Sequence, residues 1–458
     1  MSCSLLLVSL VAFLALLCTV GSATTTTATL YNYLGAPSAG AGNFIALAGD
    51  GDLLVFGDET APAFIMNLAP GNTFSSVQLT PSLSTVYFGY SVTVSGSLVA
   101  ILGAVSPSNS FVQLCTYQPS SGTCLPYATI EGVSLDVTVS LSDGVLLLNS
   151  ITGLTYSLYN CKTPACTLIT DSIIPGVAST PTVGSQALYK GLGAVAVFDY
   201  TNLISTVHFG RYNQLGWTEI GTFPLGPNVN ALASNGNLIA VGSPYLGTAA
   251  GIVLVFSCSS GTCELVSTLV GENYQDQFGS SLAFYETNLA VGAPGVNGST
   301  GVVYLFDCSS FPCVPSATVL PIFPGGIAPV SAGVPGDLFG SKVTFAGGYL
   351  IVAASGFPGG AGNGGAFLFQ VTLPSPSTCP SSAFDHATYG PTTIGQAALG
   401  LCDTGYVSVS SPTRKCLAAG LWSGTVSNRC QSKQLPSFHP HLHASWQAAD
   451  PKEPKKQN

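Results

Sequence analysis

One unit recurs along most of this chain. In its clearest copy, GENYQDQFGSSLAFYETNLAVGAPG at 271–295, the pair Phe278-Gly279 precedes an alternating run, Ser281-Leu282-Ala283-Phe284. A polar turn, Glu286-Thr287-Asn288, leads to a second apolar run, Leu289-Ala290-Val291, which ends at Gly292-Ala293-Pro294. Two short apolar runs joined by a polar turn predict a β-hairpin. Phe339-Gly340 leads in the same way to Leu350-Ile351-Val352-Ala353-Ala354, and Phe88-Gly89 leads to Leu98-Val99-Ala100-Ile101-Leu102-Gly103. Aligning the second runs on Leu53, Leu98, Val145, Val195, Leu238, Leu289 and Leu350 gives intervals of 45, 47, 50, 43, 51 and 61 residues. A period near that length, with four short strands per unit, is the signature of a propeller. One unit cannot bury both faces of its own sheet, so the copies must stack around an axis. Seven copies predict seven blades.

The Phe-Gly pair, the two runs and the closing Gly-Ala-Pro resemble the FG-GAP repeat, the blade unit of integrin alpha-chain propellers and related proteins. The match is close at 271–295 and looser in the other copies. The resemblance implies an all-β, seven-bladed β-propeller, here over 24–373. Calcium-binding FG-GAP repeats place an Asp-x-Asp-x-Asp-Gly loop between strands one and two, because calcium needs six to eight oxygen ligands. The corresponding turns here, Glu286-Thr287-Asn288, Ala346-Gly347-Gly348 and Ser95-Gly96-Ser97, are short and poor in acid. Asp50-Gly51-Asp52 comes nearest and reads as a plain turn. The chain departs from the family's metal sites, and no bound metal is expected.

The fifth unit serves as a template, with strands near 229–233, 238–241, 251–256 and 265–269. Cys258 and Cys263 flank the turn between its third and fourth strands, where a disulfide would pin the hairpin. Cys115/Cys124, Cys161/Cys166 and Cys308/Cys313 repeat the device in units two, three and six. Units one and four lack it, and 211–216 reads as a tight unbridged turn. The close pairs have no accompanying histidine and read as disulfides of an oxidising compartment, not as metal half-sites. The seventh unit has three strands, at 339–345, 349–353 and 366–371, and then runs into Pro374-Ser375-Pro376. Thr27-Ala28-Thr29-Leu30-Tyr31 matches an outer strand in pattern. This N-terminal strand is expected to complete the last blade, closing the ring and removing an open edge.

Charged residues make up 7% of the chain, against about 25% in ordinary globular proteins. Abundant Val, Thr, Ser, Tyr and Phe with 53 Gly and 30 Pro support the all-β class. The formal net charge is −9, and 24–373 holds four basic residues, Lys162, Lys190, Arg211 and Lys342. A basic footprint for nucleic acid is missing, so no nucleic-acid partner is expected. Residues 1–23 read as a secretory signal, an apolar stretch over 5–17 before Gly21-Ser22-Ala23. No second apolar stretch of about 20 residues follows, so no membrane span is expected. Cys3 and Cys18 leave with the signal, and twelve of the 14 cysteines remain.

After a linker at 374–378, residues 379–431 form a separate small unit. Cys379, Cys402, Cys416 and Cys430 are joined there by Gly420-Leu421-Trp422-Ser423-Gly424 before the final cysteine. Four cysteines allow three connectivities, and spacing alone does not choose among them. So small a domain needs such staples. The pattern resembles a sushi (complement control protein) module over its whole length. The resemblance implies pairing Cys379–Cys416 and Cys402–Cys430, with Trp422 in a minimal core. Residues 432–458 turn rich in His, Lys, Pro and Gln and read as a disordered tail.

Catalysis finds little support. His208 lies in the alternating run Val207-His208-Phe209 and reads as an exposed or hydrogen-bonded strand residue. Asp276 and Asp337 precede Phe-Gly pairs at equivalent turns, and turn formation explains them. Gly360, Gly362 and Gly365 satisfy Gly-x-Gly-x-x-Gly, but a strand follows where a dinucleotide site needs a helix. His439, His441 and His443 alternate in the tail and read as solvated. Asn297-Gly298-Ser299 is a glycosylation sequon between strands two and three of unit six, so Asn297 is expected to carry a glycan. Both resemblances are to extracellular recognition modules. The expectation is a secreted protein that binds an extracellular protein or glycan on a cell surface or in the matrix, without chemistry and without a cofactor. A carbohydrate-binding propeller is the alternative, though no aromatic recurs at an equivalent loop position and Trp217 stands alone. A glycan-cleaving enzyme comes third and needs paired carboxylates at a set separation.

Overall fold

A continuous run of apolar residues makes a strand with two faces to cover, and in this chain neighbouring sheets cover them. The computed structural model describes residues 27–432 with short interruptions, the longest at 36–45, 70–75, 174–180, 322–332, 358–363, 373–377 and 416–426. The chain divides into two compact units, 1–375 and 376–458. The first contains seven four-stranded antiparallel sheets. Blades 1 to 6 span 46–78, 87–133, 137–173, 181–225, 231–270 and 281–319, each with its strands in chain order. Blade 7 has three strands, Phe339–Ala346, Tyr349–Ala354 and Gly365–Thr372, and takes its fourth from the N-terminus. Strand Thr27–Gly35 runs antiparallel to Gly365–Thr372, with Thr27 opposite Thr372 and Gly35 opposite Gly365. The first strand of each blade lies against the first strand of the next, and that of blade 7 against Ala46–Asp50 of blade 1. The ring is closed, and the protein is an all-β, seven-bladed propeller with a smaller C-terminal unit.

The blade 5 strands, Ala231–Ser234, Leu238–Ser243, Ile252–Ser257 and Glu264–Val270, fall where the pattern puts them. Six of the seven aligned residues lie at the first or second position of the second strand, and Val195 lies at the centre of Leu192–Asp199.

The core is a set of seven seams. Each hydrophobic cluster of the propeller joins two successive blades, and the last joins blade 7 (Ile351, Leu368) to blade 1 (Leu54, Met66). The Phe-Gly pairs serve these seams. Phe278 and Phe339 are buried, and their N–H groups donate to the previous blade at Ala250 O and Thr300 O, both at 3.0 Å. The paired glycines, Gly279 and Gly340, have φ of 90° and 88°, a conformation other residues adopt at a cost. Their carbonyls lie where a Cβ on Gly242 or Gly292 of the preceding blade would fall. Between blades 2 and 3 hydroxyls do the joining. The N–H groups of Val139, Leu141 and Asp143 donate to Ser91 Oγ, Thr93 Oγ1 and Ser95 Oγ at 3.3, 3.2 and 3.1 Å.

Disulfides join Cys115 to Cys124, Cys161 to Cys166, Cys258 to Cys263 and Cys308 to Cys313, each at the turn between strands three and four. The preceding blade grips these turns. Tyr127 OH donates to Cys161 O at 2.8 Å, Arg211 Nη2 to Cys258 O at 2.6 Å, and Cys313 N–H to Ser267 Oγ at 3.1 Å.

In the C-terminal unit, Cys402 bonds Cys430. Its core comprises Ala387, Tyr389, Ala398 and Cys430, with Tyr389 fully buried. Cys379 lies in the short strand Thr378–Cys379. Cys416 and Trp422 lie outside the described residues, and with them the expected Cys379–Cys416 pairing. Outside too are the signal at 1–23, most of the linker, Gly360, Gly362 and the tail with His439, His441 and His443.

Deleting 24–34 strips the outer strand from blade 7 and is expected to lower the melting temperature by several degrees in calorimetry. A truncated chain melting like the parent would count against closure. Gly292→Ala forces a Cβ onto the Gly340 carbonyl and is expected to cost about 3 kcal/mol in urea unfolding. Gly221→Ala, in open space on the outer strand of blade 4, is expected to change stability by less than about 0.5 kcal/mol.

Candidate functional site

In an antiparallel four-strand meander, the two-to-three turns and the links to the next blade share one end of the ring. The one-to-two and three-to-four turns share the other. At the first end, between blades 5 and 6, three loops enclose a cavity of about 680 Å³. Tyr245 comes from the turn after Leu238–Ser243, Asn273, Tyr274, Gln275 and Gln277 from the link into blade 6, and Asn297 from the turn after Asn288–Ala293. Tyr245 is 48% exposed and Tyr274 69%.

Asp276 builds the link that carries most of this wall. Its Oδ2 accepts the Asn273 N–H at 2.8 Å and Asn273 Nδ2 at 3.3 Å. Its carbonyl accepts the Gly295 N–H at 3.1 Å. Gln275 and Gln277, on either side, have φ of 67° and 54°. Asp337 repeats the arrangement one blade on. Its Oδ2 accepts the Val334 N–H at 2.8 Å and its carbonyl the Gly356 N–H at 3.0 Å. Gly336 and Leu338 flank it at φ of 96° and 57°. Both acids are buried in their own turns.

Asn297 is exposed and sits in the one-turn segment Val296–Ser299, with φ of 53°, 68° and 69° at Asn297, Gly298 and Ser299. His208 is buried in blade 4 with Nδ1 2.8 Å from Glu219 Oε2, so the hydrogen-bonded reading holds and the exposed one does not. Trp217 packs on Tyr156 at the seam of blades 3 and 4, with ring centroids 6.1 Å apart. Asp50 Oδ2 accepts the Gly96 N–H of the next blade at 2.7 Å. Among the described residues, no three or more His, Cys, Asp and Glu side chains gather as a metal site would require.

Tyr245 and Tyr274 form no recurring aromatic in the sequence because they come from different kinds of loop. Tyr245 aligns with Gly295 of blade 6, and Tyr274 with Pro335 of the next link.

At the other end, charge collects on the one-to-two turns. Burial raises the pKa of Glu286, and Lys190 partly offsets the rise. Lys190 Nζ lies 5.1 Å from the Tyr189 ring centroid. Burial, then Asp50 and Asp143, raise the Tyr189 phenol.

Residues 374–430 match the family model described as Sushi repeat (SCR repeat). The module read from the four cysteines is therefore a sushi module. No curated protein matches the chain. Among solved structures, the chain is similar to the beta-propeller domain of Myceliophteria thermophila Cps50 (Swd1), at 12% identity and a TM-score of 0.48, over 76% of this chain and all of that one. It is also similar to the computationally designed Ika8 protein, at 14% identity and a TM-score of 0.41, over 74% of this chain and 99% of that one. The propeller assignment rests on the strand pairing and the seven seams. No helix among the described residues is long and apolar enough to cross a membrane.

Glu286 yields a pH prediction. A carboxyl raised in the folded state favours folding when protonated, so its ionisation weakens the fold as pH rises through the folded pKa. Glu286→Gln is expected to raise the melting temperature at pH 7, and the gain is expected to vanish near pH 4. A gain constant from pH 4 to 7 would exclude this cause.

Proposed function

We propose that this protein is an extracellular recognition protein that binds a cell-surface or matrix ligand through the loop end of its propeller and its sushi module, without catalysing a reaction. The cavity between blades 5 and 6 carries the reading, because its two exposed tyrosines serve no seam. The sushi match and the disulfides support an extracellular setting, and sushi modules generally mediate protein interactions. The FG-GAP resemblance of the blades points the same way. An enzyme is a weaker reading, since Asp276 and Asp337 are each engaged by their own turn. Fold alone does not fix function. Asn297 is proposed as a glycosylation site, being exposed on a loop.

The test is binding of labelled protein, residues 24–431, to intact cells before and after periodate oxidation and surface proteolysis. Saturable binding that falls by about tenfold in Tyr274→Ala is expected. Loss after periodate would indicate a glycan, and loss only after proteolysis a protein. Absence of saturable binding to cells and to matrix would overturn the reading.

A further inference from the structure

The link into blade 6 has an internal control one blade on. Asn273-Tyr274-Gln275-Asp276-Gln277 aligns with Val334-Pro335-Gly336-Asp337-Leu338. Both links use the buried aspartate to accept an N–H three residues back, and both have positive φ on either side of it. The second shows that this backbone needs neither a tyrosine nor an amide. Folding therefore leaves Tyr274, Gln275 and Gln277 unexplained, and all three line the cavity.

Their chemistry is specific. A phenol ring is apolar on its face and polar at its tip, so it stacks on the C–H face of a sugar and still meets water. Each carboxamide carries donors and an acceptor together, which is what adjacent hydroxyls on a pyranose require. Asn273, Gln275 and Gln277 supply three such groups. No lysine, arginine or histidine lines the cavity, and its one carboxylate, Asp276, is turned to its own loop. An anionic ligand finds no counter-charge here, and a basic one finds no free carboxylate. The volume suits a small ligand.

We propose that the cavity between blades 5 and 6 is a single binding site for a neutral saccharide, with Tyr274 and Tyr245 as stacking faces. The proposal rests on the recognition reading above and names its ligand class. It places one sugar site at this blade boundary, where Tyr245 and Tyr274 stand at the positions of Gly295 and Pro335 one blade on.

The test is calorimetric titration of the full chain carrying Ser299→Ala, which removes the sequon so that no glycan on Asn297 competes and leaves the asparagine itself unchanged. The neutral probes are N,N′-diacetylchitobiose, N-acetyllactosamine and mannotriose, with sialyllactose as the anionic probe and a lysine peptide as the basic one. At least one neutral probe is expected to bind with a dissociation constant of about 1 mM or tighter. Tyr274→Ala is expected to weaken it by about tenfold, and Tyr274→Phe, which keeps the ring, by less than about threefold. The aligned Pro335 predicts that Tyr274→Ala melts with the parent, so lost binding is not lost fold. Binding of no neutral probe, preference for the charged probes, or indifference to Tyr274→Ala would overturn the proposal. Cell binding that persists while every saccharide fails leaves the recognition reading standing and removes only the sugar site. Saccharide binding without any cell binding does the reverse.

Discussion

Adjacent blades meet backbone to backbone, and most other features of the propeller answer to that approach. A sheet of four short strands has two apolar faces and no helix to cover either. Only another blade can do it, so burial is all or nothing around the ring. Where the carbonyls of Gly279 and Gly340 press on the preceding blade, a side chain has no room. Where Ser91, Thr93 and Ser95 face the next inner strand, their hydroxyls take its N–H groups. The scarcity of charge follows, since an ion in a seam would be costly to desolvate.

This constraint also explains what could be read from the chain and what could not. Hairpin periodicity is local, so the seven blades and the blade 5 strands are legible as spacing. The closing strand is legible by subtraction, because Phe339 to Val371 makes three strands and a blade needs four. The cysteine turns are legible because each pair is a few residues apart. Seam hydroxyls look like ordinary surface alternation until the neighbouring blade is present. The Glu219 partner of His208 lies on the adjacent strand, and no motif marks it.

The cavity was illegible for a related reason. Repetition reveals what every blade shares, whereas a binding site is where one blade differs from the rest. Tyr245 and Tyr274 stand at positions taken elsewhere by Gly295 and Pro335, and they meet only because the ring sets two different loops side by side. The seams set the loops, and the departures from the repeat set the chemistry.

The shared last blade imposes an order on manufacture. Its outer strand, Thr27–Gly35, leaves the ribosome well before its partner, Gly365–Thr372. At about 5–20 residues per second, tens of seconds separate the two. Through that interval the early strand has backbone groups that are met by water and not by a partner strand. Newly made chains therefore carry that strand without its partner until the seventh blade arrives.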